Sequence, residues 1–162
     1  MLLRLLIILA FGSAAASGAE LKKFESPAGF YSIQYPSEWK LVRDADIVNI
    51  FPPDERGAVT ISAFHSESGD MQAFLDMTRE PFASSEGVVR FSPYRKAPLS
   101  GIAGEFREEQ DGVWRYWVVR GIHLKHVFVL VTANDVEADF PRRRSQYLSI
   151  LDSLVLNDPQ KG

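Results

Sequence analysis

Most of this chain alternates apolar and polar side chains with a period of two, most insistently on either side of Asp111-Gly112. That period puts successive side chains on opposite faces of a strand. Asp-Gly accepts the two positive φ values of a type I′ turn, so residues 102–110 and 113–122 read as the arms of a hairpin. Strands joined by so short a turn run antiparallel. Any fold available to the chain must therefore contain an antiparallel sheet.

The rest of the chain is consistent with this. Residues 22–26, 30–35 (FYSIQY), 39–43, 47–51, 58–64 (AVTISAF), 88–95 and 127–132 read as further strands, separated by Pro27-Ala28-Gly29, Asp44-Ala45-Asp46 and the Pro52-Pro53-Asp54 run with Arg56-Gly57. Two stretches change to helical spacing. One begins at Gly69-Asp70, a capping pair, and places Met71, Phe74, Leu75 and Thr78 on one face, with Pro81 limiting its extension. The other runs over residues 140–154 with Phe140, Tyr147, Leu148, Leu151 and Leu154 on one side. Helices that do not alternate regularly with strands indicate α+β and not a parallel doubly wound sheet. The expectation is an antiparallel sheet of six to seven strands with two main helices packed on it.

The first nineteen residues form a separate unit. Arg4 precedes the apolar run LLIILAF at residues 5–11, and small residues follow up to Ser17-Gly18-Ala19. This is the layout of a secretory signal, and the run is well short of the roughly 20 residues that span a bilayer. Cleavage after Ala19 is the first reading and after Ala16 the second. Residues 20–162 then form a single domain, exported to the periplasm or fully secreted. The chain has no cysteine, so this domain must hold together by core burial and not by disulfides. Of the 18 Lys and Arg only Arg4 lies in the signal, so its removal takes the net charge from −3 to −4. A mildly acidic domain lacks the basic field that nucleic-acid partners require. No second apolar run reaches membrane length.

The opening of the domain resembles a known family. Phe24, then Gly29-Phe30-Tyr31-Ser32-Ile33-Gln34-Tyr35-Pro36-Ser37-Glu38-Trp39, is an aromatic, a turn and an alternating strand ending in Tyr-Pro-x-x-Trp. It is similar to the start of PsbP-like domains, which include the extrinsic oxygen-evolving subunit of photosystem II and many small bacterial exported proteins; DcrB-type lipoproteins are similar. The helix at residues 71–82, the Leu99-x-Gly101-x-x-Gly104 approach to the long hairpin, and the close Ile150-Leu151-Asp152-Ser153-Leu154 fit the same pattern. The resemblance implies an α/β/α sandwich, Trp39 packed in the core, and an accessory or binding role in place of catalysis. It gives no reason to carry over the photosynthetic role.

Chemistry-bearing residues are sparse. His123 and His126 are three apart and would face opposite sides of a strand unless a turn intervenes, and His65 stands beside Ser66, so no ligand spacing for a metal is present. No serine lies in Gly-x-Ser-x-Gly. Glu105, Glu108, Glu109 and Asp111 gather toward the hairpin tip, where Glu105 and Glu109 with Arg107 between them read as a solvated ladder in place of a glycosidase pair. Gly101-x-x-Gly104 leads into a strand and carries no following Lys, which suits a bend or bulge and not a phosphate loop. No catalytic residue, metal or cofactor is assigned.

Partner-binding candidates come from charge and from cover. Arg142, Arg143 and Arg144 stand near a helix start, where cations oppose the helix dipole unless Asp135, Glu137 and Asp139 offset them. They read either as a patch for an acidic partner or anionic lipid, or as a neutralised solvated turn. The strand at residues 113–122 is apolar on both faces, with Trp114, Tyr116, Val118 and Ile122 opposed to Val113, Trp117 and Val119. Two helices, each about 10 Å wide, cannot cover both faces of a sheet roughly 25–30 Å wide. Trp114 and Tyr116 are expected to be the more exposed pair, with Arg115 and Arg120 as polar contacts, unless residues 93–100 fold over them. The function expected is an exported, non-enzymatic accessory or binding protein for a protein or small apolar ligand. A small-ligand or lipid carrier is the alternative, and a metal- or carboxylate-dependent hydrolase the lesser one.

Overall fold

The computed structural model describes residues 20–67, 70–80 and 90–157. The segment expected to be an export signal, Gly69, Pro81 and the first two residues of the strand expected at 88–95 lie outside them.

The chain order is β1 (Leu21–Glu25), β2 (Tyr31–Pro36), β3 (Lys40–Asp44), β4 (Ile47–Phe51), β5 (Ala58–His65), α1 (Met71–Arg79), β6 (Arg90–Lys96), β7 (Leu99–Gln110), β8 (Val113–Leu124), β9 (Val127–Val136), α2 (Phe140–Asp152) and β10 (Val155–Leu156). Seven strands form one antiparallel sheet in the order β3-β4-β5-β9-β8-β7-β6, and β1-β2-β10 form a second, three-stranded one. The α+β architecture expected from the sequence is what the chain adopts. The division into two sheets was not legible: β10 is two residues long, too short for any period, and it joins β2 through Val155 opposite Ser32.

Local chemistry sets the main junctions. Asp111 and Gly112 take φ of 52° and 77°, the pair of positive values that a type I′ turn demands. The hairpin pairs from Gln110 opposite Val113 to Ser100 opposite His123. Gly101 has φ 155°, and a Cβ there would run into the Gly121 carbonyl, so the glycine permits close strand approach. The Asp70 carboxylate accepts from the Ala73 amide at 3.0 Å and caps α1. Residues 93–100 do not form a covering loop: Pro93 to Lys96 complete β6, which turns at Ala97-Pro98 into β7. Pro93 is tolerated there because β6 is the sheet edge.

Each face of the large sheet has its own cover. On one, Phe74 of α1 packs on Phe128 at 4.9 Å and on Phe64 at 5.9 Å between ring centres. Thr78 sits against Gly121, where a Cβ would come within 2.7 Å of its hydroxyl. On the other, α2 and the small sheet bury Val59, Ile61, Val129, Val131 and Ala133 beneath Tyr147, Ile150 and Ile33. Trp39 is 4 % exposed and meets Tyr147 edge-on at 5.4 Å, as its Tyr-Pro-x-x-Trp setting led us to expect.

Candidate binding groove

The seven-stranded sheet is about 30 Å wide and one helix spans about 10 Å. On the α2 face the small sheet covers the side of β4 and β5, and α2 lies over β9 and the near part of β8. The border formed by β6, β7 and the outer part of β8 is left over. A groove of about 420 Å³ opens there, floored by Ala103 and Gly104, with Tyr94, Val118, Arg120 and Leu148 around it and Glu105 at one end. The period of two explains the membership: Tyr94, Ala103 opposite Arg120, and Glu105 opposite Val118 all project to the α2 side.

Arg120 is the unusual member. Its side chain is 10 % exposed, yet it borders an open groove. Nη1 donates to Asp152 Oδ1 at 2.7 Å, and the Tyr94 ring lies 5.2 Å from the guanidinium carbon. Asp152 is 56 % exposed, and its backbone carbonyl accepts from Lys96 Nζ at 2.6 Å. This end therefore holds two cations and one carboxylate, which only Arg120 engages. At the other end Glu105 accepts from Tyr116 Oη at 2.6 Å and from Arg144 Nη2 at 2.9 Å. The bond to Glu105 is the main reason the Tyr116 phenol titrates above its ordinary range, so it stays protonated. This end is neutral.

Of the partner-binding candidates singled out from the sequence, Arg120 lines the groove, and Tyr116 and Arg144 meet it only through Glu105. The structure separates the others. Arg115 projects to the opposite face, bonding the Arg56 carbonyl at 3.1 Å and Asn134 Oδ1 at 3.2 Å. Trp114 lies beyond the groove, with the Arg107 guanidinium 5.2 Å over its ring. The expectation that Trp114 and Tyr116 form the open row needs correction. Their row is the one α2 covers: Tyr116 packs on Phe140 at 4.5 Å, and both residues are half-buried. The groove lies at the β6 border, and the hairpin near Asp111-Gly112 is open as well, with Val113 42 % exposed. Tyr94 and Asp152 escaped the sequence reading. The only available signal was that Tyr94 and Arg120 fall on one face when their strands are paired through β7.

Each of the three adjacent arginines has an acidic partner. Arg142 pairs with Asp139, Arg143 with Asp54 and with Asp135 at 2.8 Å, and Arg144 with Glu105. Of the upstream acids expected to offset them, Asp139 and Asp135 do so, while Glu137 turns to Arg107 at 3.0 Å. Asp135 is fully buried and also accepts from Tyr147 Oη at 2.9 Å. Burial, and then the charge of Asp135, push the Tyr147 phenol far above its usual pKa. Burial works against the Arg143 charge, but its bonds to Asp54 and Asp135 outweigh that and hold it protonated.

Other chemistry-bearing residues stay apart. A turn does intervene between His123 and His126, with Lys125 at φ 51°. Even so, His123 stacks on Phe128 and contacts Ser100 Oγ at 2.5 Å, whereas His126 lies 5.8 Å from the His65 ring. Glu105, Arg107 and Glu109 share one face, but Glu105 engages Arg144 and Tyr116, not a second carboxylate. Among the described residues no three His, Asp or Glu side chains converge on one point, and no helix is long and apolar enough to cross a membrane.

No family model matches this sequence, and no curated protein matches it. Solved structures do. A crystal structure from Bacteroides thetaiotaomicron superimposes with a TM-score of 0.64 at 16% identity, covering 85% of this chain; this chain spans only 48% of that one. The solution structure of cyanobacterial PsbP (CyanoP) from Synechocystis gives 0.62 at 11% identity over 91% of this chain and 99% of the other. LpqN of Mycobacterium tuberculosis, described as involved in cell envelope biogenesis, gives 0.64 at 11% identity over 86% and 91%. With nearly whole chains superimposed, the fold of this protein is PsbP-like.

Proposed function

We propose that the protein is an exported, non-catalytic binding protein that holds a small ligand in the groove between α2 and the β6 border. The observation that carries this reading is Arg120: a guanidinium with a 10 % exposed side chain, bordering an open space of about 420 Å³. A volume in this range, with mostly apolar walls and a few fixed polar groups, is what small-ligand sites commonly offer. The cell-envelope description of LpqN and the signal-like layout of residues 1–19 support a place outside the cytoplasm. Export is checked by sequencing the N-terminus of protein recovered from the producing cell; a start at Glu20 is expected, and an intact Met1 would count against it.

The groove itself is tested by filling it. Ala103 lies on its floor, so Ala103→Trp should occupy the space from the sheet side. In a thermal-shift screen of small amphiphiles, the expected result is a set of compounds that stabilise the wild type and not Ala103→Trp. Stabilisation that survives the substitution would place the site elsewhere.

A further inference from the structure

We infer that the groove takes a small amphiphile with a single carboxylate, its head on Arg120 and its apolar body along Val118, Leu148 and Ala103. The inference rests on the groove being a ligand site. It adds the chemical class of the occupant.

The argument starts from the donors of Arg120. A guanidinium carries five N–H donors in a planar fork that suits a carboxylate bidentately. Among the described residues its guanidinium hydrogen-bonds only Asp152, through Nη1. The other guanidinium nitrogens are not sealed from solvent, because the enclosed unpartnered donors belong to other residues. Arg120 is itself one of the residues that line the groove. The Tyr94 ring at 5.2 Å limits the guanidinium's freedom, which lowers the ordering cost of using the fork again.

Charge decides the sign and size of the head. Arg120 pairs with the Asp152 carboxylate and Lys96 Nζ bonds the backbone carbonyl of the same residue, so two cations and one carboxylate gather at this end, a net of one positive charge. Glu105 and Arg144 cancel at the far end. A monoanion completes the balance, whereas a dianion overshoots it and a cation meets repulsion. The body of the ligand follows from the walls. Between the two charged ends the lining is Val118, Leu148, Ala103, Gly104 and Tyr94 with one small hydroxyl, Ser92, whose Oγ donates to the Ala103 carbonyl at 3.4 Å, which favours an alkyl or flat apolar group over a sugar or a peptide rich in polar atoms.

The test uses four probes with one tail: octanoate, octanol, octyl phosphate and octyltrimethylammonium, each titrated calorimetrically into the purified protein at neutral pH. Octanoate should bind most tightly, with octanol roughly 10-fold weaker or worse, the loss expected for one hydrogen bond to a charged group. Arg120→Gln should erase the preference of octanoate over octanol. Asp152→Asn, which frees the guanidinium without touching the groove walls, should tighten octanoate several-fold. Octanol, octyl phosphate or the ammonium matching octanoate would leave the groove as a ligand site and overturn the carboxylate assignment. Binding by none of the four overturns both. An unchanged octanoate affinity in Asp152→Asn overturns the assignment however Arg120→Gln folds.

Discussion

Arg143 and Arg120 lie on the same side of the large sheet, and both are mostly buried, at 19 % and 10 % side-chain exposure. Their surroundings differ in the partner. Arg143 is closed between Asp54 and the fully buried Asp135, which Tyr147 also bonds. Arg120 has one carboxylate, more than half exposed, and an open groove. Depth of burial therefore does not separate a structural cation from one available to a ligand. What separates them is whether the carboxylate left behind could find water.

The largest effect should come from the sealed side. Arg143→Met leaves Asp135 buried without its cation, and breaking a buried pair in this way costs about 3–5 kcal/mol. Denaturant unfolding measures it, and a loss below about 1 kcal/mol, the scale of an exposed pair, would erase the distinction from Arg120. Trp39→Ala, which removes the ring that seals Tyr147, should cost about 3–5 kcal/mol for the same region. A midpoint that barely moves would show that Trp39 is not a wall of the closed network. Tyr147→Phe deletes one hydrogen bond to Asp135 and keeps the ring, so about 1–2 kcal/mol is expected. On the open side Arg120→Met should cost about 1 kcal/mol or less, because water satisfies Asp152 once the guanidinium is gone. A cost as large as that of Arg143→Met would make Arg120 a structural residue and weaken the groove reading.

The smallest effect is a pH dependence on the opposite face. Burial lowers the His123 pKa below its ordinary value of 6.5. Its Nδ1 is enclosed without a hydrogen-bond partner, while Nε2 meets Ser100 Oγ. A neutral ring with its proton on Nε2 donates to Ser100, and protonation would add an N–H at Nδ1 with nothing to accept it. The unfolded chain takes up this proton first as pH falls through 6.5. Stability should therefore decline slightly below that pH and level off below the folded pKa. His123→Gln should flatten the decline; an unchanged slope would assign it to other groups.

The sequence made the fold legible wherever a local rule applied. Asp111-Gly112 set the turn of the hairpin and Asp70 capped α1, while the burial of Trp39 was expected only from the family resemblance. The turn and the cap depend on neighbours within a few residues. The site was only partly legible. Arg120 was singled out and lines the groove, and Tyr116 and Arg144 reach it through Glu105, but Trp114, Arg115, Arg142 and Arg143 were singled out as well, and the fold sends them elsewhere. Nothing near Arg120 in sequence announces that its carboxylate comes from Asp152, 32 residues on.

The positions of the longer strands, the helix positions and the alternation of faces were thus set by the sequence by itself, because backbone φ preferences and period-two burial act along the chain. Which face α2 covers, how far its width reaches across seven strands, and which arginine keeps a spare donor were decided only by tertiary structure. Those outcomes depend on packing between segments far apart in the chain, where a helix too narrow for its sheet must leave one border open.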